Sequence, residues 1–208
     1  ATKVFKSVGE IPTILVILLV VAIGAFVGLI NGIIISCFHV TPFIATLGMT
    51  IIVYGANSLY FDAIGGQPVS SFALKYSELT QGVFMIGSHR VPYLIFYALI
   101  AVAVMWVLWN KTVFGKNIFA IGGNPEAAAV SGVNVKANLI KVYALSGMFY
   151  ALGGFLEAGR VGSATNNIGN MYELDAIAAC VVGGVSFSGG VGTVGGVVTG
   201  VIIFTVIN

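Results

Sequence analysis

Charge is scarce in this chain: only 8% of its 208 residues are Asp, Glu, Lys or Arg, whereas 58% are hydrophobic. Soluble domains carry roughly 25% charged residues, so the composition excludes an ordinary soluble globular domain. The net charge is only +2 and the lysines form no dense run, which excludes nucleic-acid binding through a basic patch. The chain is therefore expected to lie in a membrane.

Histidine and cysteine are also scarce, with two of each. Cys37 and Cys180 lie far apart in apolar stretches, where small core residues are expected rather than a disulfide. His39 and His89 show no metal-ligand spacing, and no nucleophile, base and acid accompany them as a set. We therefore predict no catalytic residue, no metal site and no cofactor, and the composition disfavours an enzyme.

Long apolar stretches are what the sequence has instead. A helix needs about 20 apolar residues to cross the hydrocarbon core. Six stretches are candidates: residues 11–38, 43–61, 91–110, 139–156, 174–187 and 191–207. The pattern predicts an all-α polytopic transmembrane bundle with about six spans, forming a single domain over residues 1–208. Whether residues 174–207 cross twice or partly re-enter stays open.

Glycine is abundant, with 28 residues, and many of them fall between residues 183 and 200. In lipid, small residues let helix backbones approach closely, so these glycines predict tight packing of the last two apolar helices. A glycine-rich phosphate loop is the alternative, but no lysine follows the glycines as such a loop requires. Nucleotide binding here is therefore disfavoured.

The segment at residues 111–138 is predicted to be a cytoplasmic loop, because it contains three lysines and only one acidic residue, Glu126. Asn124 is placed to cap a helix, and Pro125 suits the first helical position. Glu126 fits the positive end of the helix dipole, and Gly132 can end the helix in the left-handed conformation. Such a helix of about two turns is marginal alone. The residues leave two interpretations open, a docking helix and a plain connector.

Four polar side chains are predicted to lie at or near the side of the membrane opposite residues 111–138, namely Tyr54, Asn57, Asn166 and Asn167. Plainer interpretations stay open, namely a helix–helix hydrogen bond for Asn57 and a turn for Asn166 and Asn167. Glu157 and Arg160 are three residues apart and can pair at a helix end.

The segment Glu126-Ala127-Ala128, with Gly132 after three more residues, resembles the EAA-type loop of bacterial ABC importer permeases. Residues 41–49, 110–133 and 174–184 are similar to the ribose/galactose/branched-chain amino acid branch of that family. The resemblance covers essentially the whole chain. It implies that the chain is a fragment, truncated at both ends, of a permease with roughly ten helices.

The resemblance also implies a function. The family works in the bacterial inner membrane as pairs of permease copies, surrounded by lipid, with a cytoplasmic ATP-binding subunit and a periplasmic sugar-binding protein. The expected cargo is galactose or a methyl-galactoside, with ribose or xylose as alternatives. Because a neutral sugar needs hydrogen-bonding and aromatic surfaces, the candidates for the sugar path are Tyr54, Asn57, Asn166 and Asn167. The residues carried over to the ATPase contact are Asn124, Pro125, Glu126, Ala127, Ala128 and Gly132.

An ion-gradient-driven secondary transporter is the main rival. Such transporters usually keep a titratable residue near the middle of the membrane. None of the six candidate spans has Asp, Glu, Lys, Arg or His at its centre. Gradient coupling therefore has no obvious carrier in this sequence, and dependence of uptake on ATP would separate the two classes.

Overall fold

The computed structural model describes residues 12–70, 74–86 and 89–207. Residue 11, where the first predicted span begins, lies outside the described residues. The chain forms two compact units. Unit 1 comprises the described residues up to Ile95 together with Ile140–Ile168, and unit 2 comprises Phe96–Leu139 together with the described residues from Gly169 onward.

The described residues are mostly helical, and two short strands interrupt the helices. In chain order the elements are α1 (Thr13–Phe38), α2 (Pro42–Ala63), α3 (Leu74–Gln81), β1 (Val83–Ile86), β2 (His89–Pro92), α4 (Tyr93–Lys111), α5 (Val113–Gly123), α6 (Pro125–Val130), α7 (Val135–Val161), α8 (Tyr172–Val182) and α9 (Val194–Ile207). The strands form an antiparallel hairpin in which Val83 lies opposite Pro92. The predicted all-α polytopic bundle is confirmed, with this hairpin as a small addition.

Four helices, α1, α2, α4 and α7, are long and apolar enough to cross a membrane. They confirm the first four predicted spans. The last two predicted spans are shorter than expected, because α8 has 11 residues and α9 has 14. At 1.5 Å per residue these helices reach only about 16 and 21 Å, less than the hydrocarbon thickness of about 30 Å.

The cause of the shortening is the turn between α8 and α9, residues 183–193. Gly184, Gly189 and Gly190 have positive φ values of 82°, 87° and 72°, which a helix cannot contain. The turn is closed by backbone hydrogen bonds such as that from Ser186 N to Val191 O, 3.0 Å. Residues 183–187 and 191–193, which were predicted to belong to the two helices, form this turn instead.

In unit 1, α1 packs on α7 through glycines spaced four residues apart. A Cβ built at Gly28 would lie 3.1 Å from the Cα of Ala144, and one at Gly32 would lie 2.8 Å from the Cα of Ile140. At Gly24 an added Cβ would overlap the carbonyl of Gly147. The two helix backbones are therefore in direct contact, as small residues permit in membrane proteins.

In unit 2, α8 and α9 also meet through glycines, which confirms the packing predicted for this pair. A Cβ at Gly183 would lie 2.8 Å from the carbonyl carbon of Gly196. One at Gly200 would lie 2.8 Å from the Cα of Gly183. Thr193 caps α9 by accepting a 3.0 Å hydrogen bond from Gly196 N.

Helix α3, which lies between α2 and β1, packs on the last turns of α7 in unit 1. Thr80 is only 1% exposed and lies against Gly159. The Gln81 side-chain amide donates to Gly159 O at 2.9 Å. The Tyr76 hydroxyl donates to Phe155 O, and burial raises the pKa of this phenol above its ordinary value. A phenol is protonated at neutral pH, so the hydroxyl acts as a donor, and the upward shift extends this state to more alkaline pH.

Candidate functional site

The short helix α6 begins at Asn124, as the sequence predicts. The Asn124 side-chain oxygen accepts a 2.9 Å hydrogen bond from Ala127 N, and its backbone N–H donates to Ala120 O at 3.0 Å. The same residue thus ends α5 and caps α6. Pro125 occupies the first turn, and Glu126 follows it there, where a negative charge stabilises the helix end.

The predicted end of α6 is also confirmed. Gly132 has a φ of 85°, in the left-handed region where a side chain is disfavoured. Its N–H donates to Ala129 O, and Val133 N donates to Ala128 O, both at 3.0 Å. These paired hydrogen bonds are those of a Schellman motif. The helix is therefore closed at both ends by its own sequence.

Only one side of α6 is covered. Ala128 is 4% exposed, and Ile121 of α5 is 5% exposed. In contrast Glu126 and Ala127 are exposed, and Val130 is 92% exposed. The helix therefore buries a single alanine, Ala128, and presents an outer face in which the small side chains of Ala127 and Ala129 lie beside that of Val130. That face offers little obstruction to a partner's groove.

The rest of residues 111–138 is more regular than the predicted loop. Thr112 caps α5 by accepting a 3.1 Å hydrogen bond from Gly115 N. Asn134 caps α7 by accepting one of 3.0 Å from Ala137 N. Sequence reasoning missed both caps, although Thr and Asn before an apolar stretch are the usual signal. Three helices in succession, α5, α6 and α7, begin at a side-chain cap.

The end of α4 carries the features of a membrane–water interface. The Lys111 ammonium lies 5.3 Å from the centre of the Trp106 ring, a cation–π distance. The Trp109 ring lies 6.0 Å from that of Phe114, edge on. Tryptophan and lysine are typical of helix ends at the headgroup level, so α5 and α6 follow directly on the end of a span.

Two of the four predicted sugar-path residues are brought together in unit 1. The Asn57 side chain donates to Asn166 O at 3.5 Å, and the Asn166 side chain donates to Ser58 Oγ at 3.3 Å. Sequence reasoning missed Ser58, whose signal was its position beside Asn57. Tyr54 and Asn167 are exposed and are not joined to this cluster by a described hydrogen bond.

Glu157 and Arg160 form the predicted pair, with N–O distances of 2.8 Å and 2.7 Å. Both guanidinium contacts go to one carboxylate, so the pair is bidentate. Within residues 12–70, 74–86 and 89–207, no group of three His, Cys, Asp or Glu side chains could hold a metal ion.

These spans, with a short capped helix following the end of one of them, define a polytopic helical membrane protein. The chain belongs to the family described as the permease component of branched-chain amino acid transport systems, whose profile matches residues 1–208. It is thus a multi-pass protein of the bacterial inner membrane. No solved structure matches the chain.

Among curated relatives, the galactose/methyl galactoside import permease protein of Salmonella typhimurium is 71% identical over the whole chain and 62% of its own length. The fructose import permease protein of Rhizobium meliloti is 36% identical over 95% of the chain and 55% of its own length. The ribose import permease protein of Escherichia coli is 36% identical over 96% of the chain and 61% of its own length. The chain thus spans about three fifths of the length of its relatives.

Proposed function

We propose that this chain is the membrane-spanning core of an ATP-driven importer for galactose and methyl galactosides. The sugar is inferred from the difference between 71% identity to a galactose/methyl galactoside permease and 36% identity to fructose and ribose permeases. Such a subunit forms the path for the sugar and carries out no chemistry itself. ATP would be hydrolysed by a separate cytoplasmic subunit.

The observation that carries the proposal is the outer face of α6. A helix of six residues cannot be stable through length alone, yet α6 is capped at both ends and exposes Val130 almost fully. An exposed valine beside alanines is a surface that gains free energy when a partner covers it. We assign this face to the ATP-binding subunit, with residues 111–138 on the cytoplasmic side.

The other partners follow from the class of transporter. A periplasmic sugar-binding protein would deliver the sugar, a second permease copy would complete the path, and lipid would surround both copies. The Asn57, Ser58 and Asn166 cluster, with Tyr54 and Asn167 nearby in sequence, remains our proposal for the sugar path. Its hydrogen bonds are 3.3 Å and 3.5 Å long, so exchanging one for a sugar hydroxyl would cost little free energy.

Uptake of labelled galactose tests the proposal. The full-length protein would be produced with its ATP-binding subunit and binding protein, in cells that lack other galactose importers. We expect uptake that depends on ATP and that is lost on Gly132→Leu while the protein stays in the membrane. Uptake that follows the proton gradient would instead establish a secondary transporter.

A second variant separates backbone strain from a clash with the partner. No atom lies within 4 Å of a Cβ built at Gly132, so the site has room for a side chain in the permease alone. Asparagine tolerates the left-handed conformation better than leucine. We expect Gly132→Asn to retain more uptake than Gly132→Leu, and full uptake in both variants would exclude α6 from the ATPase contact.

A further inference from the structure

The end of α5 touches the turn between α8 and α9 backbone to backbone. A Cβ built at Gly122 would lie 3.0 Å from the Cα of Gly190 and 3.3 Å from the carbonyl carbon of Gly189. One built at Gly190 would lie 2.7 Å from Gly123 N. A Cβ essentially never lies within 3.0 Å of a non-bonded heavy atom, and a distance of 3.0–3.4 Å is unusually short. Backbone cannot rotate aside to relieve such a contact as a side chain can. We call this contact between Gly122 and Gly189–Gly190 the glycine joint.

The joint is connected rigidly to α6 on one side. Only Asn124 stands between the end of α5 at Gly123 and the start of α6 at Pro125, and its hydrogen bonds close both helices. Ala128 of α6 and Ile121 of α5 are both buried. Helices α5 and α6 should therefore move as one body, with the joint at its edge.

The joint is connected as firmly to α8 and α9 on the other side. Gly184 N donates to Val181 O at 2.9 Å and Val185 N donates to Cys180 O at 3.0 Å, which ties the turn to the end of α8. The Thr193 cap ties it to α9, and the two helices meet at Gly183 and Gly196. A displacement of the turn must therefore displace the ends of both helices.

An apolar cavity of about 470 Å³ lies beside the joint, between α4, α5, the turn and α9. Its lining includes Met105 of α4, Phe119 of α5 and Val197 of α9. Gly122, Gly189 and Gly190 also line this space, so the backbone contact of the joint lies at its edge. The cavity also leaves room for the turn to shift.

We infer that the glycine joint transmits movement of α6 to the short helices α8 and α9. The inference rests on the proposed function, since it assigns α6 to the ATP-binding subunit. It differs from a direct action of α6 on α4 and α7, the two spans that flank residues 111–138. Gly122 and Gly190 are thus positioning residues for transport, because they hold two moving parts in register without contacting sugar or nucleotide.

Two adjacent glycines make a matched test. Gly122 lies in the joint, whereas a Cβ built at Gly123 meets no atom within 4 Å. Galactose uptake and ATP hydrolysis would be measured for the full transporter with Gly122→Ala or Gly123→Ala. We expect Gly122→Ala to lose about tenfold in uptake, within the range of coupling between distant sites, at a wild-type rate of ATP hydrolysis. Gly123→Ala should transport normally.

The possible outcomes are distinguishable. If the wild-type protein shows no ATP-dependent galactose uptake, the proposed function itself fails. If it transports and the two variants behave alike, or if Gly122→Ala loses ATP hydrolysis together with uptake, the transmission through the joint is wrong.

Hydrogen exchange on the wild-type transporter decides the question even if Gly122→Ala fails to reach the membrane. Exchange would be compared between the nucleotide-free transporter and the transporter trapped with ATP and vanadate. We expect amide exchange to change in residues 120–132 and in residues 186–193 together. A change confined to residues 120–132 would overturn the inference.

Discussion

Glycine brings backbones together in both units, but in different places. In unit 1 it lies within two long helices, where Gly24, Gly28 and Gly32 of α1 meet α7 over two turns. In unit 2 it also lies at helix ends and in a turn, where Gly122 meets Gly190. The first contact is a seam between regular helices, and the second is a contact between points where regular structure stops.

The difference has a physical consequence. A seam of helical residues is held by many van der Waals contacts along its length, and each is small but additive. A contact at a turn is held by few atoms, and its geometry depends on local hydrogen bonds such as the caps of α6 and α9. We therefore expect the α1–α7 seam of unit 1 to be static and the short elements of unit 2 to be easier to displace.

The largest effect is expected from breaking the seam. Gly147→Leu places a branched side chain where the carbonyl of Gly24 lies, and neither backbone can yield without separating the helices. Overpacking of this kind costs about 3 kcal/mol. We expect a marked loss of folded protein from the membrane and a lower Tm in detergent.

The control for this substitution lies in the same helix. A Cβ at Gly153 meets no atom within 4 Å. Gly153→Leu therefore also replaces a glycine of α7 by leucine, but its side chain overlaps no other atom at the Cβ position. It should leave the amount of membrane protein and the Tm close to wild type. Equal losses in the two variants would show that leucine destabilises α7 at either position. The overlap with Gly24 would then not be the cause of the loss in Gly147→Leu.

A smaller effect is expected from removing the caps in unit 2, where two asparagines offer a direct comparison. Asn124 and Asn134 make the same hydrogen bond, of 2.9 Å and 3.0 Å. Replacing such a cap by alanine costs about 0.5–2 kcal/mol. The cost falls on six residues in α6 and on 27 in α7, so Asn124→Ala should unfold its helix whereas Asn134→Ala should fray only a first turn.

Hydrogen exchange in the full-length protein measures this difference. In Asn124→Ala, the amides of residues 127–133 should exchange much faster than in wild type. In Asn134→Ala, faster exchange should stop within the first turn of α7. Unchanged exchange across residues 127–133 in the first variant would mean that packing on α5, rather than the caps, holds α6.

The contrast between the units also explains what the sequence could predict. The caps of α6 were predictable because Asn124, Pro125 and Gly132 act on their own neighbours, and the structure confirms them. The first four spans were predictable because hydropathy over about 20 residues is a local property. Hydropathy could not show that residues 183–193 form a turn, since Val185, Phe187 and Val191 are as apolar there as in a helix.

Contacts between distant residues were the least predictable. The spacing of Gly24, Gly28 and Gly32 indicates a packing face, yet it does not name α7 as the partner. The approach of Asn166 to Asn57 and Ser58 joins residues more than 100 positions apart. The glycine joint likewise depends on tertiary structure, because a Cβ added at Gly122 would meet Gly190 whereas one added at the adjacent Gly123 would meet no atom within 4 Å.

The smallest effect is expected in the polar contacts that accompany the seam in unit 1. Tyr76→Phe keeps the ring, whose centre lies 4.6 Å from that of Phe155, and removes only the hydroxyl that donates to Phe155 O. The loss of one such hydrogen bond costs about 1 kcal/mol. Tyr150→Phe is the control, because Tyr150 is 77% exposed on α7, the helix that carries Phe155, and the Tm of this variant should not change.

Alkaline pH adds a second measurement to this comparison. Burial raises the pKa of Tyr76 in the folded protein above the ordinary value of 10.0, so above that pH the unfolded chain loses the phenol proton before the folded protein does. Proton release then favours unfolding, and the stability that Tyr76 contributes is full below about pH 10 and falls as pH rises through the folded pKa. The difference in Tm between wild type and Tyr76→Phe should therefore be constant from pH 7 to pH 9 and shrink above pH 10. A difference that stays constant above pH 10 would show that the hydroxyl is not buried against α7, and that the glycine seam holds this end of unit 1 without it.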